Sequence, residues 1–259
     1  MISQFDSIDL RMDIPILYED TDVVVINKPA GLMTHGDGRV AKAGRTARET
    51  VADWHVSRVP TVAGVGEPLV LPDGTMLSRP GVVHRLDAET SGVLILAKNP
   101  EAFAHLKQQF HDRLARKTYR AFVYGAVRDA HGVIDRPIGR SAKDFRLRSA
   151  QRGARGKLRD ARTHWERLAV GSDYSYLSLA PETGRTHQLR VHCKAINHAI
   201  VGDRLYAPKR VEADSEALGF SRLALHAYEL ELELPTGERR RFIAPLPEDF
   251  LRAEARLAG

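Results

Sequence analysis

The chain has 259 residues, 43% of them hydrophobic and 28% charged, which is ample for a core and ordinary for a globular protein. One cysteine excludes a disulfide framework and any thiolate metal cluster, and no apolar run is long or uncharged enough for secretion or membrane spanning, so a cytoplasmic protein is expected. A net charge of +6 and a pI near 9.5 favour polyanionic partners.

Residues 1–13 carry no clear period. Val23-Val-Val-Ile26 is a β-branched strand that Pro29 and Gly31 must end, because proline lacks a ladder donor and glycine takes turn geometry readily. Gly36-Asp-Gly-Arg39 and Lys42-Ala-Gly-Arg45 belong to a Gly- and Pro-rich loop region over 34–79, with a helix expected at 46–56. Next comes Gly81-Val-Val-His-Arg-Leu-Asp-Ala-Glu-Thr-Ser-Gly-Val-Leu-Ile-Leu-Ala-Lys98. Its end, 93–97, reads as a buried strand entered through the turn at 90–92. His84, Arg85, Asp87 and Thr90 then sit on a loop pinned to the core. A lone carboxylate there is costly unless a cation or several N–H groups meet it, so Asp87 is either a structural ion pair or a reactive group. No phosphate-cradling or dinucleotide glycine string occurs, so nucleotide cofactors lack support.

Asn99 can cap a helix with Pro100 in its first position and Glu101 at its positive end; Phe103, Leu106, Phe110 and Leu114 form its core stripe, with Lys107, Arg113 and Arg116 outside. Alternation over 117–125 argues a strand in which Tyr119 and Tyr124 face opposite ways, so only one of them can share a given site. Between Arg136 and Arg167 lie eleven cations and three carboxylates, a net +8. Such a run, flexible at Gly153 and Gly156, is expensive in self-repulsion unless an anion meets it. A hairpin or loop that grips the backbone of a polyanion through Arg152, Arg155 and Lys157 is expected. Residues 165–170 and 174–180 read as paired strands, and a helix starts near Thr186 or His187 with Leu189, Cys193 and Ile196 on one face. His187, His192 and His198 are spaced five and six apart on different faces, which favours polar packing over metal ligation. A hairpin at 228–234 and 240–243 follows, and 245–251 closes the domain.

His84-Arg-Leu-Asp87, two variable residues and Thr90-Ser-Gly92 together resemble the central motif of the RluA-type RNA pseudouridine synthases. Ile26-Asn-Lys-Pro-Ala-Gly-Leu32 resembles the first motif of that family, in which Lys28 and Pro29 support the active-site loop from beneath. Lys117-x-Tyr-x-Ala-x-Val-x-Gly125 resembles the second, and Gly184-Arg-Thr-His-Gln-Leu-Arg-Val-His192 the third. The likeness implies an α+β (mixed α/β) catalytic fold with a largely antiparallel central sheet flanked by helices: one domain over 1–259, with 136–167 as a basic insert.

The same likeness implies that Asp87 is the catalytic residue, that Arg190 pairs with it, and that Tyr119 lies against the target base. Leu189 would be the apolar residue beside the base, and Arg85 would fill the stack left by a flipped uridine. His84 and Arg185 would complete the substrate-binding set; Gly184, Arg185 and His187 shape or brace their turn, and Arg185 could also touch phosphate. Departures are Glu89, where relatives commonly carry a shorter acid, and the lack of a preceding S4-like module, which leaves recognition to the domain and its insert. The implied reaction turns uridine into pseudouridine in structured RNA without metal or cofactor. The expected substrate is 23S ribosomal RNA first and transfer RNA next, acted on by a monomer. Two rivals are an idle RNA-binding or ribosome-assembly protein, which would not need Asp87, Tyr119 and Arg190 together, and an Asp/His hydrolase, for which no nucleophile elbow exists.

Overall fold

The computed structural model describes residues 13–36, 49–71, 73–144, 147–209 and 218–258. The expected loop cations at 37–48 and the start of the helix expected from 46 lie outside the described residues. Strands β1 (Ile16–Glu19) and β2 (Val23–Lys28) form a hairpin turned by Asp20, whose carboxylate accepts the N–H groups of Asp22 and Val23 at 2.8 and 2.7 Å. Helix α1 (Val51–Arg58) opens on a reciprocal cap between Thr50 and Asp53. Two short strands, β3 (Leu69–Val70) and β4 (Met76–Leu77), pair with each other.

Strand β5 (Ser91–Ala97) is buried at all seven positions, as its aliphatic run demands. Helix α2 (Pro100–His111) begins as expected, the Asn99 side chain accepting the N–H of Ala102. It ends sooner than its apolar stripe suggested. Arg113 takes φ +62° and breaks the period, so Leu114 is exposed and not part of the core. Strand β6 (Arg116–Tyr124) follows, and Tyr124 is buried on the face away from Tyr119's site.

The basic segment is neither one hairpin nor one loop. After β7 (His131–Asp135) it yields β8 (Ile138–Arg140), β9 (Arg148–Ser149) and β10 (Arg155–Arg159), which form a separate three-stranded sheet in the order β10-β8-β9. Its last part is β11 (Arg162–Val170), which pairs with β12 (Tyr174–Pro181). Helix α3 (Gln188–Ala195), strands β13 (Leu225–Glu233) and β14 (Arg239–Ile243), and helix α4 (Glu248–Ala258) complete the described elements.

The main sheet runs β1-β2-β5-β13-β6-β12-β11-β7, with β14 also on β13. All of its described pairings are antiparallel except β5 with β13. Gly92 makes that exception possible. At φ +115° a Cβ would stand 2.1 Å from the Ala227 carbonyl oxygen, so only glycine lets the two strands meet. One apolar core packs β1, β2 and β5 with α1 and α2, and a second packs β6 and β12 with α3 and α4. Tyr119 touches both, which puts its strand face at the seam where the site opens.

Candidate active site

The loop before β5 is fixed by its backbone. Gly81, at φ +69°, lies so close to β5 that a Cβ would stand 2.3 Å from the Ala97 carbonyl oxygen. Further on, the His84 ring acts as a strand partner: its Nε2 accepts the Ile95 N–H at 3.2 Å while the ring stacks 4.3 Å from Phe110. Both backbone groups of Leu86 are held by Thr34, whose hydroxyl donates to the Leu86 carbonyl at 2.9 Å and accepts its N–H at 3.3 Å. The Ala88 carbonyl accepts from the Gly31 N–H at 2.8 Å and from Lys28 Nζ at 3.1 Å. Asp87 is therefore clamped through both neighbours, and its own carbonyl accepts the Thr90 N–H at 3.1 Å.

Lys28 is wholly buried under this loop, and its ammonium also donates to the carbonyls of Pro29 and Leu32, both at 2.8 Å. Burial pulls its pKa down to about 7, against the opposing pull of Asp87. Three carbonyl acceptors match the three donors of an ammonium, so the charged form is the one this cage fits.

Asp87, Tyr119, Arg190, Arg85, Leu189 and Arg185 all face one cavity of about 540 Å³, and His84 forms part of its wall. They come from the loop before β5, from β6, and from the turn and first residues of α3. The Asp87 side chain is 20% exposed, with Oδ2 3.8 Å from Arg190 Nη1 and 4.0 Å from His187 Nε2. Arg190 is not devoted to Asp87. Its Nε and Nη2 bind both oxygens of the fully buried Asp203 at 2.8 and 2.7 Å, and Glu89 stands 3.5 Å away. Burial alone would lower the Arg190 pKa, but the bonds and charge of Asp203, then of Asp87 and Glu89, raise it above the ordinary arginine value. Asp203 thus fixes the guanidinium, which presents one remaining nitrogen toward Asp87.

Asp203 has no role among the residues expected from the sequence. The signal lay in the apolar Ile200-Val201 before it, since the desolvation argument that singled out Asp87 applies equally there. His187 was treated only as a brace. It sits at φ +57° before α3, and its Nδ1 lies 2.7 Å from the Tyr206 hydroxyl, which also accepts the Arg148 N–H at 3.1 Å. When the Tyr206 hydroxyl donates to Nδ1, the neutral imidazole carries its N–H on Nε2, toward Asp87. Burial lowers the His187 pKa against the pull of Asp87. His192 and His198 go elsewhere, to Thr163 and the Arg136 carbonyl, and to the Tyr124 carbonyl.

Burial, and secondarily the charge of Asp87, raises the Tyr119 pKa, so the phenol stays protonated beside the carboxylate. Burial pushes His84 down to about 3, leaving a neutral ring whose Nε2 is already engaged. Arg85 is exposed at the rim, its Nη1 3.4 Å from His35 Nε2. The three expected backbone cations do not converge. Lys157 lines a second cavity, Arg152 a third, and Arg155 is exposed on β10.

The sequence pattern of the RNA pseudouridylate synthase family matches residues 22–195, a stretch holding Lys28, Asp87, Tyr119 and Arg190. The chain belongs to the RluA-type branch of that family. It is an RNA pseudouridine synthase, an isomerase acting on RNA. An uncharacterised RNA pseudouridine synthase of Synechocystis is 36% identical over 95% of this chain and 69% of its own. The ribosomal large subunit pseudouridine synthase D of Borreliella burgdorferi is 36% identical over 93% of this chain and 68% of its own. Among solved structures, human RNA pseudouridylate synthase domain containing 4 superimposes with a TM-score of 0.70 at 26% identity, covering 94% of this chain and 93% of its own.

Proposed function

We propose that the synthase turns a uridine of large-subunit ribosomal RNA inside the Asp87 cavity, with transfer RNA as the second candidate substrate. The uridine site in this reading rests on the meeting of Asp87, Tyr119 and Arg190, from three distant stretches, on one cavity of about 540 Å³, and the ribosomal substrate on the relative named for the large subunit. A base reaches such a cavity only when flipped from its stack, which costs a few kcal/mol and least in a loop or bulge. Arg85, exposed at the rim, fills the vacated stack, and Leu189 lies along the base.

The reaction breaks the C1′–N1 bond, turns the uracil and joins C5 to C1′; N1 gains a proton and C5 loses one. Asp87 is the group that acts on the nucleotide, by attack on the sugar, attack on the ring, or removal of a sugar proton. Arg190, braced by Asp203, fixes the direction of the Asp87 carboxylate, and the loop clamps hold its backbone. Tyr119 packs on the base. As a phenol with a raised pKa it serves as a hydrogen-bond donor and is a poor base at neutral pH. His84 forms the wall behind the base, and Arg185 reaches phosphate. The described chain works as one catalytic domain and a monomer in the cytoplasm. No helix among the described residues is long and apolar enough to cross a membrane.

The test is tritium release from uracil C5 in transcripts of large-subunit ribosomal RNA and in bulk transfer RNA, followed by mapping of the modified position. Release from ribosomal RNA at one site supports the reading. Release only from transfer RNA moves the substrate, and salt-sensitive binding without release from either supports the idle RNA-binding alternative.

A further inference from the structure

A second cavity, of about 400 Å³, opens beside the first. One wall is the small sheet, from which Arg140 of β8, Arg148 of β9, and Lys157 and Arg159 of β10 converge. The other is the turn at 184–186, whose Arg185 lines both cavities. Among the described residues no carboxylate lines this second cavity and none of the five cations has an ion-pair partner. Arg140 stands directly opposite Arg148 on one side and Arg155 on the other. Like charges opposed across strands destabilise a sheet, so the free protein carries a repulsion that an anion would relieve.

The backbone is shaped for that convergence. A Cβ on Gly139 would stand 2.7 Å from Leu158 Cδ2 and 2.8 Å from the Arg155 carbonyl oxygen, so glycine is what lets β8 and β10 close up. Lys157 and Arg159, two apart on β10, point to one side. Where the two cavities meet, an ideal Cβ on Gly184 would touch nothing within 4 Å, leaving an open passage.

We propose that this second cavity is a phosphodiester subsite, holding the RNA backbone of nucleotides adjoining the one in the Asp87 cavity. The inference rests on the first cavity being the uridine site. It assigns backbone binding to Arg140, Arg148, Lys157, Arg159 and Arg185, and removes Arg152, which lines the third cavity, from that role. The subsite is also tied to the reacting group. The Arg148 N–H reaches the Tyr206 hydroxyl, which meets His187 Nδ1, and His187 Nε2 faces Asp87.

The experiment measures RNA binding against salt, and tritium release from the same RNA, for the full chain. Arg148→Ala/Arg159→Ala is expected to raise KM at least tenfold and to reduce the slope of log K against log salt by about 1.5, since each lost phosphate contact removes roughly 0.7–0.9. Its kcat stays within twofold, and Arg148→Lys/Arg159→Lys restores most of the KM. Gly184→Asp, which removes no side chain and strains no backbone, puts a carboxylate in the passage and raises KM in the same direction. Arg152→Ala leaves both quantities within twofold. An unchanged KM and salt slope in Arg148→Ala/Arg159→Ala, or equal damage from Arg152→Ala, overturns the subsite. If wild type releases no tritium from any RNA, the uridine reading fails, and the salt slopes still decide the subsite by themselves.

Discussion

Asp203→Asn isolates what the buried carboxylate contributes. The amide keeps the shape and one oxygen, so the Leu205 and Tyr206 N–H groups, each 3.0 Å from Asp203 Oδ1, retain an acceptor. The nitrogen that replaces Oδ2 turns a donor toward Arg190 Nε, 2.8 Å away, and the pair loses its negative charge. Breaking a buried ion pair costs ~3–5 kcal/mol. The retained oxygen argues for the low end, ~3 kcal/mol, which with a urea m-value of ~2.5 kcal/mol per M moves the midpoint down by about 1.2 M. Freed on one side, Arg190 swings toward Asp87 and Glu89. A displacement near 1 Å at a positioned group costs on the order of 100-fold, so kcat for tritium release should fall about that far with KM little changed. Glu89→Gln is the comparison: that side chain is 39% exposed and 3.5 Å from Arg190, so its loss costs under ~1 kcal/mol. An Asp203→Asn protein with a wild-type midpoint and kcat would refute the claim that Asp203 holds the arginine.

Gly92→Ala should destabilise by more than ~2 kcal/mol and lower soluble yield, because the new methyl would stand 2.1 Å from the Ala227 carbonyl oxygen at φ +115°; chemical denaturation measures it. Stability should fall in acid. Burial depresses His84 to about 3 and His226, whose Nδ1 lies 2.9 Å from Ser91 Oγ, to about 4, so below the unfolded value of ~6.5 the unfolded chain binds protons that the folded one refuses. The stability present above pH ~6.5 is lost toward the folded pKa values, at up to ~1.4 kcal/mol per pH unit per histidine, and a flat urea midpoint between pH 7 and 5 would contradict this. Lys28→Met removes three hydrogen bonds to carbonyls and frees the Ala88 side of the clamp. It should lower kcat at least tenfold, a change detectable by tritium release at saturating RNA.

Local chemistry was readable where one residue type had one physical use. Asn99 capped, Pro100 opened its helix, and 93–97 became a strand buried at every position because nothing but a core suits that run. Helix α4 was equally readable and was passed over: Phe250, Ala253 and Leu257 recur at helical spacing behind Glu248 and Asp249, and the first two are fully buried. Long-range facts were not in the local pattern. The parallel contact of β5 with β13 depends on what Gly92 meets 135 residues later, at Ala227, and no period encodes that. The approach of Arg190 to Asp87 came from family likeness; that Asp203 takes most of the guanidinium follows only from how α3 covers the turn after it. In the basic segment the charge excess was plain, but strands of two to five residues carry too little alternation to show which cations would face one another.

The most direct test of the central claim compares wild type with Asp87→Asn for tritium release from uracil C5, with RNA affinity measured in parallel. The amide fills the same volume beside Arg190 and His187. The account predicts RNA binding within about threefold of wild type, the same salt slope, and no release above background. Release by Asp87→Asn within tenfold of the wild-type rate would contradict it, because the carboxylate at the centre of the cavity would then not be the group that acts on the uridine.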